Sequence, residues 1–161
     1  MSDVKPKYPT SPTEIAFTSL GNLLNNYLAE SAPIDNSVNL FSDAFVSGTL
    51  VVDEGASATG YVEVYVSASN DGGETWGGDC TDADGPFTGT EANLPVHLDR
   101  IALESAKQTY EFFISTGIAA AFGNRMPKRW KLIFKNVTGA TLPNPSTSVV
   151  AYLGINDQIT A

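Results

Sequence analysis

Alternation of apolar and polar side chains in two segments is the feature that most constrains how this chain can fold. Residues 61–69 read YVEVYVSAS and residues 129–135 read RWKLIFK. A period of two places alternate side chains on opposite faces of an extended strand. We expect the apolar face of each strand to lie in a core. The residues concerned are Val62, Val64 and Val66 in the first segment, and Trp130, Leu132 and Phe134 in the second.

Six further segments are rich in β-branched and aromatic residues, as strands are. They are residues 15–18, 27–34, 41–52, 101–103, 110–115 and 148–153. Clusters of Gly, Pro, Asn and Asp separate them, which is typical of a sandwich or barrel. We therefore predict an all-β fold, an antiparallel jelly-roll-like β-sandwich of about eight strands, formed by residues 14–161 as a single domain.

Two segments have features of helices. Apolar residues at helical spacing occur between residues 20 and 28, but the stripe covers barely two turns and includes Gly21 and asparagines. This segment predicts a short turn or helix that leads into a strand. Residues 117–122, GIAAAF, are compatible with one helical turn.

The first thirteen residues form an extended arm by prediction. Pro6, Pro9 and Pro12 recur every third residue, which favours polyproline geometry and argues against a strand. We expect this arm to lie against another protein chain, with partner contacts at the residues Lys5, Lys7, Tyr8 and Pro9. The alternative is an arm that folds back on its own sandwich.

Charge is distributed unevenly along the chain, whose formal net charge is −9. Residues 8–99 contain fourteen acidic residues and neither Lys nor Arg, so binding of nucleic acid through this part is disfavoured by repulsion from phosphates. A compact basic cluster follows, made of Arg125, Lys128, Arg129, Lys131 and Lys135. It predicts either contact with an acidic partner, chiefly through Arg125, Lys128 and Arg129, or a solvated strand edge that resists edge-to-edge pairing.

Residue types that carry catalysis or bind metals are scarce. His97 and Cys80 are the only histidine and cysteine, which leaves too few ligands for a zinc site and no internal disulfide. The acidic loop that contains Asp71, Glu74, Asp79, Asp82 and Asp84 is interpreted as solvated, with calcium binding as the alternative. We predict no enzyme activity, cofactor or metal. No apolar run is long enough to span a membrane, and no signal peptide is recognisable at the N-terminus.

One local motif is complete. Residues 69–76, SNDGGETW, match the Asp-box pattern S-x-D-x-G-x-T-W through Ser69, Asp71, Gly73 and Trp76. The Asp accepts hydrogen bonds from the turn, the glycines allow positive φ, and the Trp packs beneath a hairpin. The motif therefore predicts a structural hairpin and no activity.

The C-terminal third carries a resemblance to a known group of proteins. The segments MPKRWKLIFKNVTGATL from Met126 and SVVAYLGI from Ser148, with APIDNS and DAFVSGTL from Ala32 and Asp43, resemble small β-sandwich virion proteins of tailed bacteriophages. The resemblance implies a capsid decoration or cement protein that binds the major capsid protein or another virion protein, acts as a homo-oligomer (trimer or dimer), and is located in the virion after assembly in the bacterial cytoplasm.

Two other functions stay open at this point. A tail-associated structural protein is one. The other is a carbohydrate-binding or host-recognition module, which would use exposed aromatic residues. The candidates for such a site are Tyr61, Tyr65, Trp76 and Phe87, beside the acidic loop.

Overall fold

The computed structural model describes residues 3–77, 85–86, 95–104, 108–143 and 147–160. Within these ranges the elements, in chain order, are strands β1 (Asp3–Lys7), β2 (Thr13–Glu14), β3 (Tyr27–Glu30), β4 (Ile34–Asp35), β5 (Asp43–Val51), β6 (Tyr61–Ser69), β7 (Gly85–Pro86), β8 (Val96–Ala102) and β9 (Thr109–Ile114), helix α1 (Ile118–Ala121), and strands β10 (Arg129–Val137) and β11 (Val149–Thr160).

The strands form two antiparallel sheets, which confirms the predicted all-β sandwich. One sheet has the order β1-β11-β5-β9, with β2 also paired to β11. The other has the order β7-β3-β10-β6-β8, with β4 also paired to β10. We call them the five-stranded and the six-stranded sheet. The described strands outnumber the predicted eight because β1, β2 and β7 lie outside the predicted segments. In addition, the predicted strand of residues 27–34 is divided into β3 and β4.

The core lies between the two sheets and is built on β6 and β10, as the alternation predicts. Val64 pairs with Phe134, and Val66 pairs with Leu132. These side chains are fully buried, together with Val62 and Trp130. Trp130 meets Tyr152 of the five-stranded sheet edge-to-face, with ring centroids 5.4 Å apart.

One predicted strand is absent, and its segment lies where the chain changes sheet. Residues 15–18 form no strand and make only an isolated bridge, between Phe17 and Ser31. The Ile15 N–H donates to β11, and the Ala16 carbonyl accepts from Ala32, so the chain crosses from one sheet to the other. The predicted turn at residues 20–28 is confirmed, with Asn22 and Asn26 both at a φ of 65° before β3 begins.

The predicted helical turn at residues 117–122 is present as α1. The Asp43 carboxylate fixes its start by accepting a hydrogen bond from the Ala119 N–H at 2.8 Å. Gly117 is required beside it, since a Cβ there would lie 2.1 Å from an Asp43 carboxylate oxygen.

The prediction that the N-terminal arm contains no strand is wrong. Residues 3–7 form β1, which pairs antiparallel with the end of β11: Lys7 stands opposite Asn156 and Asp3 opposite Thr160. Proline is compatible with this pairing because β1 is an edge strand, where a nitrogen that faces solvent needs no hydrogen.

Candidate partner-binding surface

A two-stranded ribbon continues from the five-stranded sheet. It consists of β1 and residues 156–160 of β11, and we call it the ribbon. β5 pairs with β11 only as far as Ile155, so the ribbon extends beyond the part of β11 that is paired with β5. Every described side chain of β1 is exposed. A two-stranded ribbon is by itself only marginally stable in water, so another surface is expected to complete it.

Apolar side chains are concentrated around this ribbon. Val4 in β1 is 65% exposed, and Tyr8, directly after β1, is 58% exposed. Val38 and Leu40, in the neighbouring loop of residues 36–42, are 84% and 73% exposed. We call the ribbon, Tyr8 and this loop together the ribbon end. It carries four of the eight large apolar side chains that are exposed in the described part of the chain.

The loop at the ribbon end is held in place by a buried residue. The Asn36 side chain accepts from the Phe41 N–H at 2.8 Å and donates to the Phe41 carbonyl at 3.1 Å. Its backbone N–H donates to the Lys128 carbonyl at 2.8 Å, which ties the loop to the start of β10. Leu40 has a φ of 50°, a conformation that is uncommon for a residue other than glycine. The exposed Val38 and Leu40 are therefore presented by a fixed loop.

Polar contacts join this loop to the ribbon. The Asn156 side-chain amide, oriented to donate, reaches the Asn39 and Leu40 carbonyl oxygens at 3.1 and 3.2 Å. A groove of about 420 Å³ lies between the two parts, and Lys7 and Asp157 contribute to its walls. Lys5 and Lys7 are exposed. Apolar side chains and lysines around a shallow groove are suited to bind another protein chain.

The predicted basic cluster does not form one surface. Arg125 and Lys128 are exposed, but Arg129 donates to the Asp35 carboxylate at 2.9 Å and to the Gly72 carbonyl. Lys131 and Lys135 point to the outer face of the six-stranded sheet, as predicted, but are buried there. The prediction of a solvated strand edge is wrong, because β10 is an inner strand with neighbours on both sides.

Each buried lysine of β10 has an acidic partner from an adjacent strand. Lys131, which is 1% exposed, lies with its Nζ 2.5 Å from Glu30 and 4.6 Å from the centre of the Trp76 ring. Lys135 lies 3.1 Å from Glu63, which also accepts from the Tyr65 hydroxyl at 2.8 Å. These charges are neutralised within the chain and do not attract a partner.

The Asp-box residues form the structural turn that the motif predicts. Asp71 accepts from the Ser69 hydroxyl at 2.7 Å, from the Thr75 N–H at 3.0 Å, and from the Thr75 hydroxyl. Gly72 and Gly73 have φ values of 87° and 94°, which side chains other than glycine rarely adopt. The next described strand along the chain, β7, pairs with β3 and not with β6, so the predicted hairpin does not form between consecutive described strands.

Hydrogen bonds lower the pKa values of two carboxyl groups, those of Asp71 and Asp35. The Thr75 and Ser69 hydroxyls hold the pKa of Asp71 far below its usual value, because they stabilise the charged form. The Ser37 hydroxyl and N–H, with a smaller effect of Arg129, lower the pKa of Asp35 to about 2. Both groups stabilise turns, and neither is adjusted to exchange protons near neutral pH.

The aromatic residues considered for carbohydrate binding do not form an exposed platform. Tyr65 is buried, and the Arg100 guanidinium covers the Tyr61 ring at 3.6 Å from its centre. Trp76 is partly buried against Lys131. Phe87 lies outside the described residues, as do Asp79, Asp82, Asp84 and Cys80 of the acidic loop.

Among the described residues, no cluster of three or more His, Cys, Asp or Glu side chains is placed to hold a metal ion. The described part of the chain also has no helix long and apolar enough to cross a membrane. Comparison with protein-family models, curated proteins and solved structures finds no match to this chain.

Sequence reasoning missed part of the ribbon end. It identified Lys5, Lys7, Tyr8 and Pro9 but not the end of β11 or the exposed pair Val38 and Leu40. Residues 38–41, VNLF, have the composition of an ordinary strand start. In the structure this segment is a loop, which the Asn36 hydrogen bonds between residues five apart hold in place.

Proposed function

We propose that this protein is a structural, non-catalytic component of a tailed-phage virion, and that it attaches to the assembled shell through the ribbon end. The ribbon end, with its exposed Val4, Tyr8, Val38 and Leu40, is the observation that carries the proposal. The resemblance of four segments to small virion sandwich proteins provides the identity of the assembly. The partner is then the major capsid protein or another shell protein.

The ribbon end exposes apolar side chains that its own chain does not bury. Apolar burial contributes about 25 cal/mol per Å² removed from water. The four exposed apolar side chains at the ribbon end make little of this contribution within their own chain. A partner surface that covers them gains their burial without unfolding any part of the sandwich. The prolines on either side of Tyr8 also reduce the conformational entropy that docking would cost.

The experiment compares the full chain with a form that lacks residues 1–12. Purified protein is sedimented with empty, tailless shells of the encoding phage, and the melting temperature of each form is measured separately. We expect shell binding to fall at least about tenfold, or ~1.4 kcal/mol, with little change in melting temperature. Unchanged binding with a lower melting temperature would assign the arm to the fold alone and contradict the proposal.

A pair of substitutions provides a matched test with the arm intact. Leu40→Ser removes an exposed apolar side chain from the ribbon end. Leu24→Ser removes an exposed apolar side chain from the opposite end of the sandwich, where the adjoining Asn26 N–H donates to the Asn136 carbonyl near the end of β10. We expect only Leu40→Ser to weaken shell binding. Equal effects would show that general hydrophobicity, not this surface, drives the association.

The position on the particle follows from the same assay. The full chain is also sedimented with isolated tails of the phage. Binding to tails but not to shells would contradict shell attachment and favour a tail-associated structural protein.

A further inference from the structure

The two edges of the ribbon differ in how they are protected. The outer edge of β1 carries Pro6 between Lys5 and Lys7, and proline and lysine both oppose pairing with another strand. The other edge belongs to residues 156–160 of β11, which contain neither proline nor lysine. Within the described residues, no strand pairs with this edge beyond Ile155.

Backbone alternation identifies which groups face the open edge. The Ile155 carbonyl accepts from Ser42 on the β5 side, whereas the Val150 carbonyl accepts from Ile15 on the opposite side. Because successive residues direct their backbone groups to alternate edges, the odd-numbered residues of β11 face the β5 side. Asp157 and Ile159 therefore direct their N–H and C=O groups toward the open edge.

The position of Pro6 supports this assignment independently. The same alternation makes the even-numbered residues of β11 bond with β1, so Lys5 and Lys7 bond with Gln158 and Asn156. Pro6 stands opposite Asp157, where the β1 nitrogen points away from β11. This is the position at which an edge strand tolerates a residue without an N–H group.

We propose that the open edge of β11 pairs with the same edge of a second copy, antiparallel about a twofold axis. The result is a four-stranded sheet in the order β1, β11, partner β11, partner β1. A twofold contact is self-complementary, so the unpaired N–H and C=O groups of both copies are satisfied by the same bonds. The sheet also exceeds the two strands at which a ribbon is only marginally stable.

The charges of the ribbon favour one register between the two β11 strands and limit the repulsion between the two copies. Two copies with a formal net charge of −9 each repel one another. The ribbon is more balanced than the rest of the chain, since its two lysines, Lys5 and Lys7, equal in number its two acidic residues, Asp3 and Asp157. A register that places Asp157 opposite Ile159 of the second copy keeps the two Asp157 carboxylates from facing each other, where like charges are destabilising.

This inference does not depend on the shell, and it is tested without one. Ile159→Pro removes an N–H from the open edge, whereas Val4→Pro removes one from the outer edge of β1. Val4 and Ile159 stand opposite each other in the ribbon, so the two substitutions are matched. Sedimentation equilibrium gives the mass of the full-length protein and each variant over a range of concentrations, and hydrogen exchange at Lys5 and Lys7 checks that the ribbon stays formed.

We expect the unmodified chain to dimerise, Ile159→Pro to weaken dimerisation at least about tenfold, and Val4→Pro to leave it unchanged. Asp157→Pro, which removes the second open-edge N–H, serves as an independent variant if Ile159→Pro opens the ribbon. A chain that stays monomeric at every concentration would overturn the proposal. So would dimers that survive both open-edge prolines, or dimers that are lost only with Val4→Pro.

Discussion

The outer face of β10 and the ribbon end both carry lysines beside apolar or aromatic groups, yet their surroundings are opposite. On β10, Lys131 lies buried against Glu30 and Trp76, and Lys135 lies against Glu63. At the ribbon end, Lys5 and Lys7 are exposed. A lysine that is neutralised within its own chain stabilises the fold, whereas one that remains in solvent is available to a partner. The comparison predicts that substitutions in the first region change stability and those in the second change binding.

The largest expected effect comes from breaking the buried pair on β10. Lys131→Met removes the positive charge 2.5 Å from the buried Glu30 carboxylate, and we expect unfolding free energy to fall by about 3–5 kcal/mol. Urea denaturation measures this loss. The double variant Lys131→Met with Glu30→Leu removes both charges and should recover most of it. A single variant as stable as the unmodified chain would show that the pair is not a structural element.

A smaller effect is expected where the ribbon end joins the fold. Asn36→Ala removes the two side-chain hydrogen bonds to Phe41, and we expect a loss of about 1–3 kcal/mol in urea denaturation. Shell binding should weaken as well, because Val38 and Leu40 lose their fixed loop. If binding were unchanged in a variant that still folds, these two side chains would not belong to the contact.

Acid is expected to destabilise the folded protein by protonating Asp35 and Asp71. The pKa of Asp35 is lowered to about 2 and that of Asp71 lies lower still, so the unfolded chain binds more protons than the folded one as pH falls below ~4. The stabilisation from both groups is therefore complete above that pH and is lost progressively as pH falls through ~4 toward 2. Between pH 6 and 2, the melting temperature of Asp71→Asn should fall less steeply with decreasing pH than that of the unmodified chain. An equal dependence of melting temperature on pH in both proteins would show that Asp71 does not contribute to the acid destabilisation.

The smallest effect on stability is expected at the ribbon lysines. Lys5→Gln and Lys7→Gln change exposed side chains, so unfolding free energy should shift by less than about 0.5 kcal/mol. Binding to shells should become weaker and less sensitive to salt, because charge attraction at an exposed surface is screened. A clear drop in melting temperature would instead place these lysines in the fold.

Sequence patterns predict the features of this molecule that depend on neighbouring residues. They miss those that depend on residues far apart in the chain. Alternation located β6 at its observed bounds and placed Trp130, Leu132 and Phe134 in the core, because a period of two is a local property. The same pattern directed Lys131 away from the core but did not reveal its burial. Its partner Glu30 is 101 residues distant in sequence and becomes adjacent only when β3 pairs with β10.

At the ribbon, a local sequence pattern predicts the wrong structure. Three prolines in thirteen residues argue against a strand, and the general rule holds for inner strands. It fails at β1 because Pro6 occupies an edge position opposite Asp157, which no local pattern specifies. Lys5, Lys7 and Tyr8, the predicted partner contacts, are exposed, but the surface that they share with Leu40 depends on contacts between segments far apart in sequence.

Hydrogen exchange of the free and shell-bound chain tests the central claim, that the ribbon end is the surface for a partner, most directly. At a protein concentration where the free chain is monomeric, we expect the β10 amides to be protected. The amides of β1 and residues 156–160 should exchange far faster, because no other described strand pairs with the ribbon. At the same protein concentration with shells added, the ribbon amides should slow by at least about tenfold while β10 is unchanged. Ribbon amides that exchange at the same rate with and without shells, or protection that appears only elsewhere, would contradict the account.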